Sequence, residues 1–529
     1  MMGNKKLQVW LPLIFSLVMI TGMYFGYKLG SKNSNNGFFS SNKRSTIQEA
    51  IDLIKMRYVD AVFADSLEGK AIQQLMSELD PHSAYFPAVE LKAANEDLAG
   101  NFEGIGVEFN IFSDTVNVTY VNPNSPSDKA GLLIGDKILS VNNISLAQKT
   151  SHIDSIKKYI RGERGTKAVL KIVRENKVQM ISVTRGTIPV PSVDAAYMID
   201  KTTGYINLNK FTDNSYEEFM QAMENLQKQG LQNLIFDLRG NGGGFMNEAV
   251  DMADEFLDGD KLVVYTQGVN SKKREYRCKR PGLFEKGKLV LLVDEFSASA
   301  TEVLAGALQD WCRATIIGRR TFGKGLVQEQ YPLSDGSALR LTVARYYTPL
   351  GRSIQRSYGK GKKVYMDDLE ERYNSGEMLS IDSLKNHNGG QKFMNGCKDT
   401  LFAGDGITPN VFVPLDTSRI QRKISLVLNN GNLNETVYLY YLKNKKQIEQ
   451  YSSVADFVQR FNPADMWDGF VKYPSGSLAF EIMTGKEKEL LALRLKATLA
   501  RYKWRNNGLY QVLNAEDIVI QKAIEHIAK

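Results

Sequence analysis

The apolar positions of this chain fall into a succession of distinct rhythms. From Val9 to Phe25 they form an almost unbroken run, with Ser16 and Thr21 as its polar members and Lys5, Lys6 and Lys28 flanking it. As a helix this run reaches about 25 Å, just under a hydrocarbon core of about 30 Å, so residues 1–28 read as a short tail with a transmembrane anchor or signal segment. The Gly/Ser/Asn stretch 29–45 reads as a linker. Over 46–98 the spacing turns helical, through Ile47, Ile51, Ile54, Ile72, Leu75, Met76 and Leu79. Residues 99–188 alternate short period-two runs with turn residues, the pattern of a β-rich domain.

From 189 to 415 strand and helix patterns take turns. Ser215-x-x-Glu218 opens a helix that closes at Gly230, and strands at 232–238, 288–293 and 313–318 are separated by helices at 245–257 and 300–311. This alternation predicts an α/β core with crossover helices. Residues 357–399, rich in Gly, Lys and Asn, read as a polar surface insert. Residues 416–529 carry helical patterns, clearest at 486–504 and in a final helix capped by Asn514. They show no chemistry and suit packing, self-association or an adaptor partner.

Three segments of the α/β region carry candidate chemistry. Ser299, in DEFSASATEVLAGALQD, stands where the apolar strand KLVLLVDE meets a helix whose apolar stripe is Val303, Leu304, Ala307, Leu308 and Trp311. Free N–H groups and the positive helix end face a residue so placed, and the flanking alanines leave its hydroxyl unobstructed. Ser299-Ala-Thr-Glu302 is equally a capping box, which needs no chemistry. Lys324 lies between two glycines in GRRTFGKG. That run imitates a phosphate loop, but Gly325 replaces the magnesium-binding Ser/Thr and a strand follows, which argues against an NTPase. In an extended 324–328 segment Lys324, Leu326 and Gln328 share one face, where Gln328 can hold the amine. As a general base the lysine must be neutral, so its pKa must fall from about 10.4 through desolvation. The third segment is a strand, Leu234 to Leu238, that breaks into Arg239-Gly240-Asn241-Gly242-Gly243-Gly244 before a helix at Phe245. Such a glycine nest presents N–H groups to a phosphate or an oxyanion. Phe245 stands where a dinucleotide fingerprint needs its last glycine.

Together with LDPHSAYF (79–86), GNFEGIGVEF (100–109), SPSDKAGLLIGDKILSVNN (125–143), GYINLNKF (204–211), DGSALRLTVARYYTPLGRSIQ (335–355) and GITPN (406–410), these segments resemble the carboxyl-terminal processing (tail-specific) proteases over most of residues 45–415. The resemblance implies a crotonase/Clp-protease-like α/β core with an inserted PDZ domain, to which the apolar patterns add the transmembrane helix and the helical N- and C-terminal regions. It implies Ser299 as nucleophile, Lys324 as base, Gln328 as its support, and an oxyanion hole from backbone N–H groups of Gly242 or Gly243 and of Ala300. Gly104-Ile105-Gly106-Val107 would be the PDZ loop that grips a substrate's terminal carboxylate while the tail adds as a strand. Asn410 replaces the usual aspartate of GITPD, at a position not expected to affect chemistry.

Composition bears this out only in outline. With 529 residues, 43% hydrophobic, the chain suffices for several domains, and its net charge of +8 comes from interspersed charges, so no nucleic-acid partner is expected. Cys278, Cys312 and Cys397 lack metal-ligand spacing and leave disulfides undecided, and His82, His152, His387 and His526 form no HExxH. No metal or cofactor is called for. A Ser–His–Asp triad is the weaker arrangement, since no histidine adjoins Ser299 in sequence. The expectation is a membrane-anchored endopeptidase, its bulk outside the cytoplasm (periplasmic where there are two membranes), cutting unstructured polypeptides caught by their C-termini. The alternative is a PDZ adaptor on a non-catalytic hydrolase fold.

Overall fold

The computed structural model describes residues 5–30, 45–61, 64–146, 153–383, 390–417, 432–471 and 483–529. The chain divides into Met1–Gln74 and Leu75–Lys529. In the first unit, residues 9–25 lie within a helix, Lys5–Gly30, with Phe15, Leu17 and Ile20 exposed. The expected transmembrane helix is not supported: among the described residues no helix is long and apolar enough to cross a membrane. Side chains of this helix, Leu7, Leu11 and Ile14 among them, lie outside the described residues. So does most of the expected 29–45 linker. Helix Thr46–Arg57 follows, capped by the Ser45 hydroxyl accepting from Gln48 N–H.

In the second unit, strands Val107–Phe112, Thr115–Val121, Lys137–Val141, Lys167–Arg174 and Lys177–Thr184 form an antiparallel sheet in that order. Alternate residues Val116, Val118, Ile138, Leu170 and Ile172 enter one core with Ile105 and with Ile156 and Ile160 of helix Ile153–Ile160. Val107–Phe112 is an edge strand, so one side of its backbone is open to pairing.

The larger core is a six-stranded sheet in the order Val193–Met198, Thr203–Leu208, Asn233–Asp237, Leu289–Val293, Thr315–Gly318, Val411–Phe412. Only the first pair is antiparallel. LVLLV at 289–293 is buried at every position, as a parallel strand covered on both faces must be. Leu289, Leu291 and Val293 pack with residues of helices Ser215–Lys228, Met246–Asp254 and Ala300–Asp310. Val290 and Leu292 pack with Val519, Ile520 and Ala523 of helix Ile518–Ala528. The C-terminal residues thus cover the sheet's second face. That final helix is capped by Asp517, while Asn514 ends the preceding helix, Gly485–Asn514.

The insert is more than a surface excursion. Its Arg372 and Glu377 are 1% and 2% exposed and form a buried network with Arg320. Glu377 accepts from Arg320 Nε and Arg372 Nε at 2.9 Å each, and Arg372 also donates to the carbonyls of Arg320 and Thr321. Polarity misleads here because these charged groups are paired and hydrogen-bonded inside. Residues 384–389 of the insert lie outside the described residues. Cys312 and Cys397 form a disulfide, tying the insert to the end of helix Ala300–Asp310.

Candidate active site

Ser299 occupies a strained corner between strand Leu289–Val293 and helix Ala300–Asp310, with φ 58° and ψ −117°. A non-glycine residue rarely adopts this backbone, and a strand–turn–helix corner of this kind lifts the serine hydroxyl clear of the sheet. One arm of the capping box is made: the Ser299 N–H donates to Glu302 Oε2 at 2.9 Å. Glu302 N–H donates to the Ser299 carbonyl at 2.8 Å, so the helix draws on that carbonyl as well.

The glycine turn lies directly against this corner. Gly243 has φ 97°, and a Cβ placed on it would fall 2.6 Å from the Ala298 carbonyl oxygen and 2.7 Å from Ser299 Cβ. Its N–H already donates to Asn241 Oδ1 at 2.9 Å, whereas Gly242 is exposed. Of the two expected oxyanion donors, Gly242 is the one left uncommitted. Arg239, beside the turn, is clamped by Asp237 and by Asp517 of the C-terminal extension.

Lys324 Nζ donates to Gln328 Oε1 at 3.1 Å, and Gln328 Nε2 donates to the His82 carbonyl at 2.6 Å. Asp80 folds the LDPHS turn that offers this carbonyl, accepting from the N–H groups of His82 and Ser83 at 2.8 Å. Burial, helped by the charge of Arg340, lowers the Lys324 pKa, against the pull of Glu302 and Asp80. His82 thus reaches this region through its backbone. Its ring meets the Tyr365 hydroxyl at 2.9 Å, and burial and the Lys324 charge hold its pKa down to about 4.

One cleft of about 570 Å³ is lined by Ser299, Ala300, Gly242, Gly243, Lys324 and Gln328. The expected tail-binding residues lie elsewhere. Gly106, at φ 81°, packs so closely on Ser125 that a Cβ would come within 2.5 Å of Ser125 Cβ. The carbonyls of Ile105 and Gly106 accept from the N–H groups of Ser127 and Asn122.

Two residues join the serine and lysine segments and went unremarked as such in the sequence. Glu302 is fully buried and accepts from Ser299 N–H, Lys324 N–H, Gly323 N–H and the Thr321 hydroxyl. Burial lifts its carboxyl pKa to about 6 despite these donors. The capping-box spacing was the signal for it, read only as a local cap. The Tyr346 hydroxyl lies within bonding distance of the carbonyls of both Ser299 and Lys324, and no local pattern marks it. Asn410, the departure from GITPD, accepts from Ile316 N–H at 3.0 Å.

Residues 202–361 match the model of peptidase family S41, residues 118–174 a PDZ domain, and residues 424–505 a family of unknown function, DUF8443. A probable CtpA-like serine protease of Staphylococcus epidermidis is 35% identical over 352 residues, 66% of this chain and 70% of that protein. A carboxy-terminal-processing protease of Bartonella bacilliformis is 31% identical, over 68% of this chain and 83% of its own. Among solved structures, a photosystem II D1 C-terminal processing protease is 26% identical, covering 71% of this chain and 95% of that one, with a TM-score of 0.35. With this identity over so much of each sequence, the chain belongs to the carboxy-terminal processing proteases of family S41, serine-type peptidases, and carries a PDZ domain.

Proposed function

We propose that this peptidase cleaves unstructured polypeptides, caught by their C-termini, with Ser299 as nucleophile and Lys324 as general base. The observation that carries this reading is one cleft lined by both residues, with Lys324 half-buried and held by Gln328. Neutral Lys324 takes the Ser299 proton as the oxygen attacks the scissile carbonyl. The N–H groups of Gly242 and Ala300 receive the developing oxyanion. Lys324 then passes the proton to the departing amine, and water releases the acyl group from Ser299. Gly104, Ile105, Gly106 and Val107 take the tail's carboxylate, and the tail adds to the open edge of Val107–Phe112. The bulk of the enzyme works outside the cytoplasm; fractionation of cells with the protein followed by antibody tests that part.

The test of the central reading is digestion of one disordered substrate bearing different C-termini, with wild type and Ser299→Ala. Small or apolar tails are expected to be cut at least tenfold faster than tails ending in Asp or Lys, since burying an unpaired charge costs on the order of a few kcal/mol. No turnover is expected from Ser299→Ala. Indifference to the tail would remove selection by the PDZ domain, and a tail-binding but inert wild type would make the protein an adaptor.

The lowered Lys324 pKa fixes the sign of a pH dependence. Below that pKa the amine is protonated and idle, so kcat/KM should climb with pH along one ionisation, levelling off before the ordinary lysine value of about 10.4. A profile that falls across this range would exclude Lys324 as base.

A further inference from the structure

The polar insert meets the lysine site from behind. Its helices, Lys362–Met366 and Asp368–Asn374, bring in Tyr365, which is 3% exposed. The Tyr365 ring packs edge-on against the His82 ring, 5.3 Å between centres, and against Phe322 at 5.9 Å. His82 belongs to the turn whose carbonyl accepts from Gln328, and Phe322 stands two residues before Lys324. One side chain of the insert thus touches both segments that hold the amine.

Arg356, immediately before the insert, fastens this contact. Its guanidinium lies 4.1 Å from the centre of the Phe322 ring and 3.9 Å from that of Tyr365, a cation between two aromatic rings. Its N–H donates to the Gly323 carbonyl at 3.0 Å, Nη2 donates to the Tyr365 carbonyl at 2.7 Å, and Nη1 pairs with Asp368. The far end of the insert is tied down by the Cys312–Cys397 disulfide.

The chemistry calls for such a brace. Gln328 carries an acceptor and a donor on one amide, and either end can face an amine. Here Nε2 is engaged by the His82 carbonyl at 2.6 Å, which leaves Oε1 for Lys324 Nζ. With that carbonyl swung away, the amide is free to rotate and aim an N–H at the lone pair that must take the Ser299 proton. Asp80 holds the turn from within, through the N–H groups of His82 and Ser83. From outside it is held by the Tyr365 hydroxyl, 2.9 Å from His82 Nε2.

We propose that Tyr365 is a positioning residue for the dyad: its hydroxyl fixes the His82 ring, and with it the carbonyl that orients Gln328 toward the Lys324 amine. This role rests on Lys324 as general base, and it makes the insert a working part of the site.

Tyr365→Phe keeps the ring packing and removes only the hydroxyl. It should lower kcat about fivefold, the worth of one hydrogen bond, and leave KM within about twofold. The Lys324 amine, less tightly held and better hydrated, should ionise about half a pH unit higher. Two readings follow it: the pH profile of kcat/KM, and the pH dependence of trace acetylation of Lys324 by acetic anhydride, measured by mass spectrometry. Arg340, Glu302 and Asp80 face the amine, and Lys324, Asp80, Arg356 and Lys362 face the His82 ring; the substitution alters none of them. Tyr373→Phe, at an exposed tyrosine of the same insert, should change neither rate nor ionisation. In a His82→Ala background Tyr365→Phe should have no further effect, because the contact is already lost. An ionisation that stays in place in Tyr365→Phe, whatever the melting temperature does, overturns the proposal, as do losses that multiply in the double variant. A wild-type rate profile that departs from the acetylation curve would instead sink Lys324 as base, and the acetylation curves would still judge Tyr365.

Discussion

Ser299→Ala and Lys324→Ala are each expected to abolish proteolysis almost completely, by a factor of about 10⁴ or more in kcat, with the double variant scarcely worse. Nucleophile and base act as a unit, so their losses do not add. Both variants should melt close to wild type: Lys324 gives up one hydrogen bond to Gln328, and Ser299 carries its backbone strain whatever its side chain. Measurement of kcat/KM on a quenched peptide, with thermal unfolding alongside, checks this. Substantial turnover in Lys324→Ala would require another base. His82 is poorly placed for that, because its ring is engaged with Tyr365.

Gly243→Ala is expected to cost about 10²–10³ in kcat, comparable to losing an oxyanion donor, without removing any catalytic side chain. The added Cβ would sit 2.6 Å from the Ala298 carbonyl oxygen and 2.9 Å from Ala300 N, so either the turn or the serine corner must move. Backbone strain at φ 97° adds roughly 1–2 kcal/mol. Gly242→Ala should cost far less, because its Cβ would meet nothing within 4 Å and the N–H is retained. Rates from the two variants isolate the effect of crowding at the serine corner; equal losses would show that the turn tolerates no side chain for reasons other than contact with Ser299.

What could be read in the sequence was local. The helix start after Ser299, the glycine nest and the extended Lys324–Gln328 face each follow from neighbours a few residues apart. The α/β alternation followed from period and turn residues in the same way. Less legible were groups that meet only through tertiary structure. Tyr346 touches the carbonyls of Ser299 and Lys324 from 47 and 22 residues further along the chain. Glu302 satisfies a cap and also gathers donors from the lysine loop, and only the first task has a spacing rule. The insert looked solvated because composition does not reveal which charges are paired. The Cys312–Cys397 bridge joins residues separated by 85 positions, beyond any spacing argument. The extension looked inert since its polar contacts are made with partners hundreds of residues away.

The Asp517–Arg239 clamp bears on when the enzyme becomes active. The glycine turn is synthesised well before one of its supports, which lies 278 residues further along the chain. The same holds for the sheet beneath it, whose second face is closed by Val519, Ile520 and Ala523. Pairings of such long sequence separation form late, once the entropy of closing large loops has been overcome. A chain that carries Ser299 and Lys324 but lacks residues 517–523 would leave the sheet's second face uncovered and the turn without that brace, and is expected to be inactive.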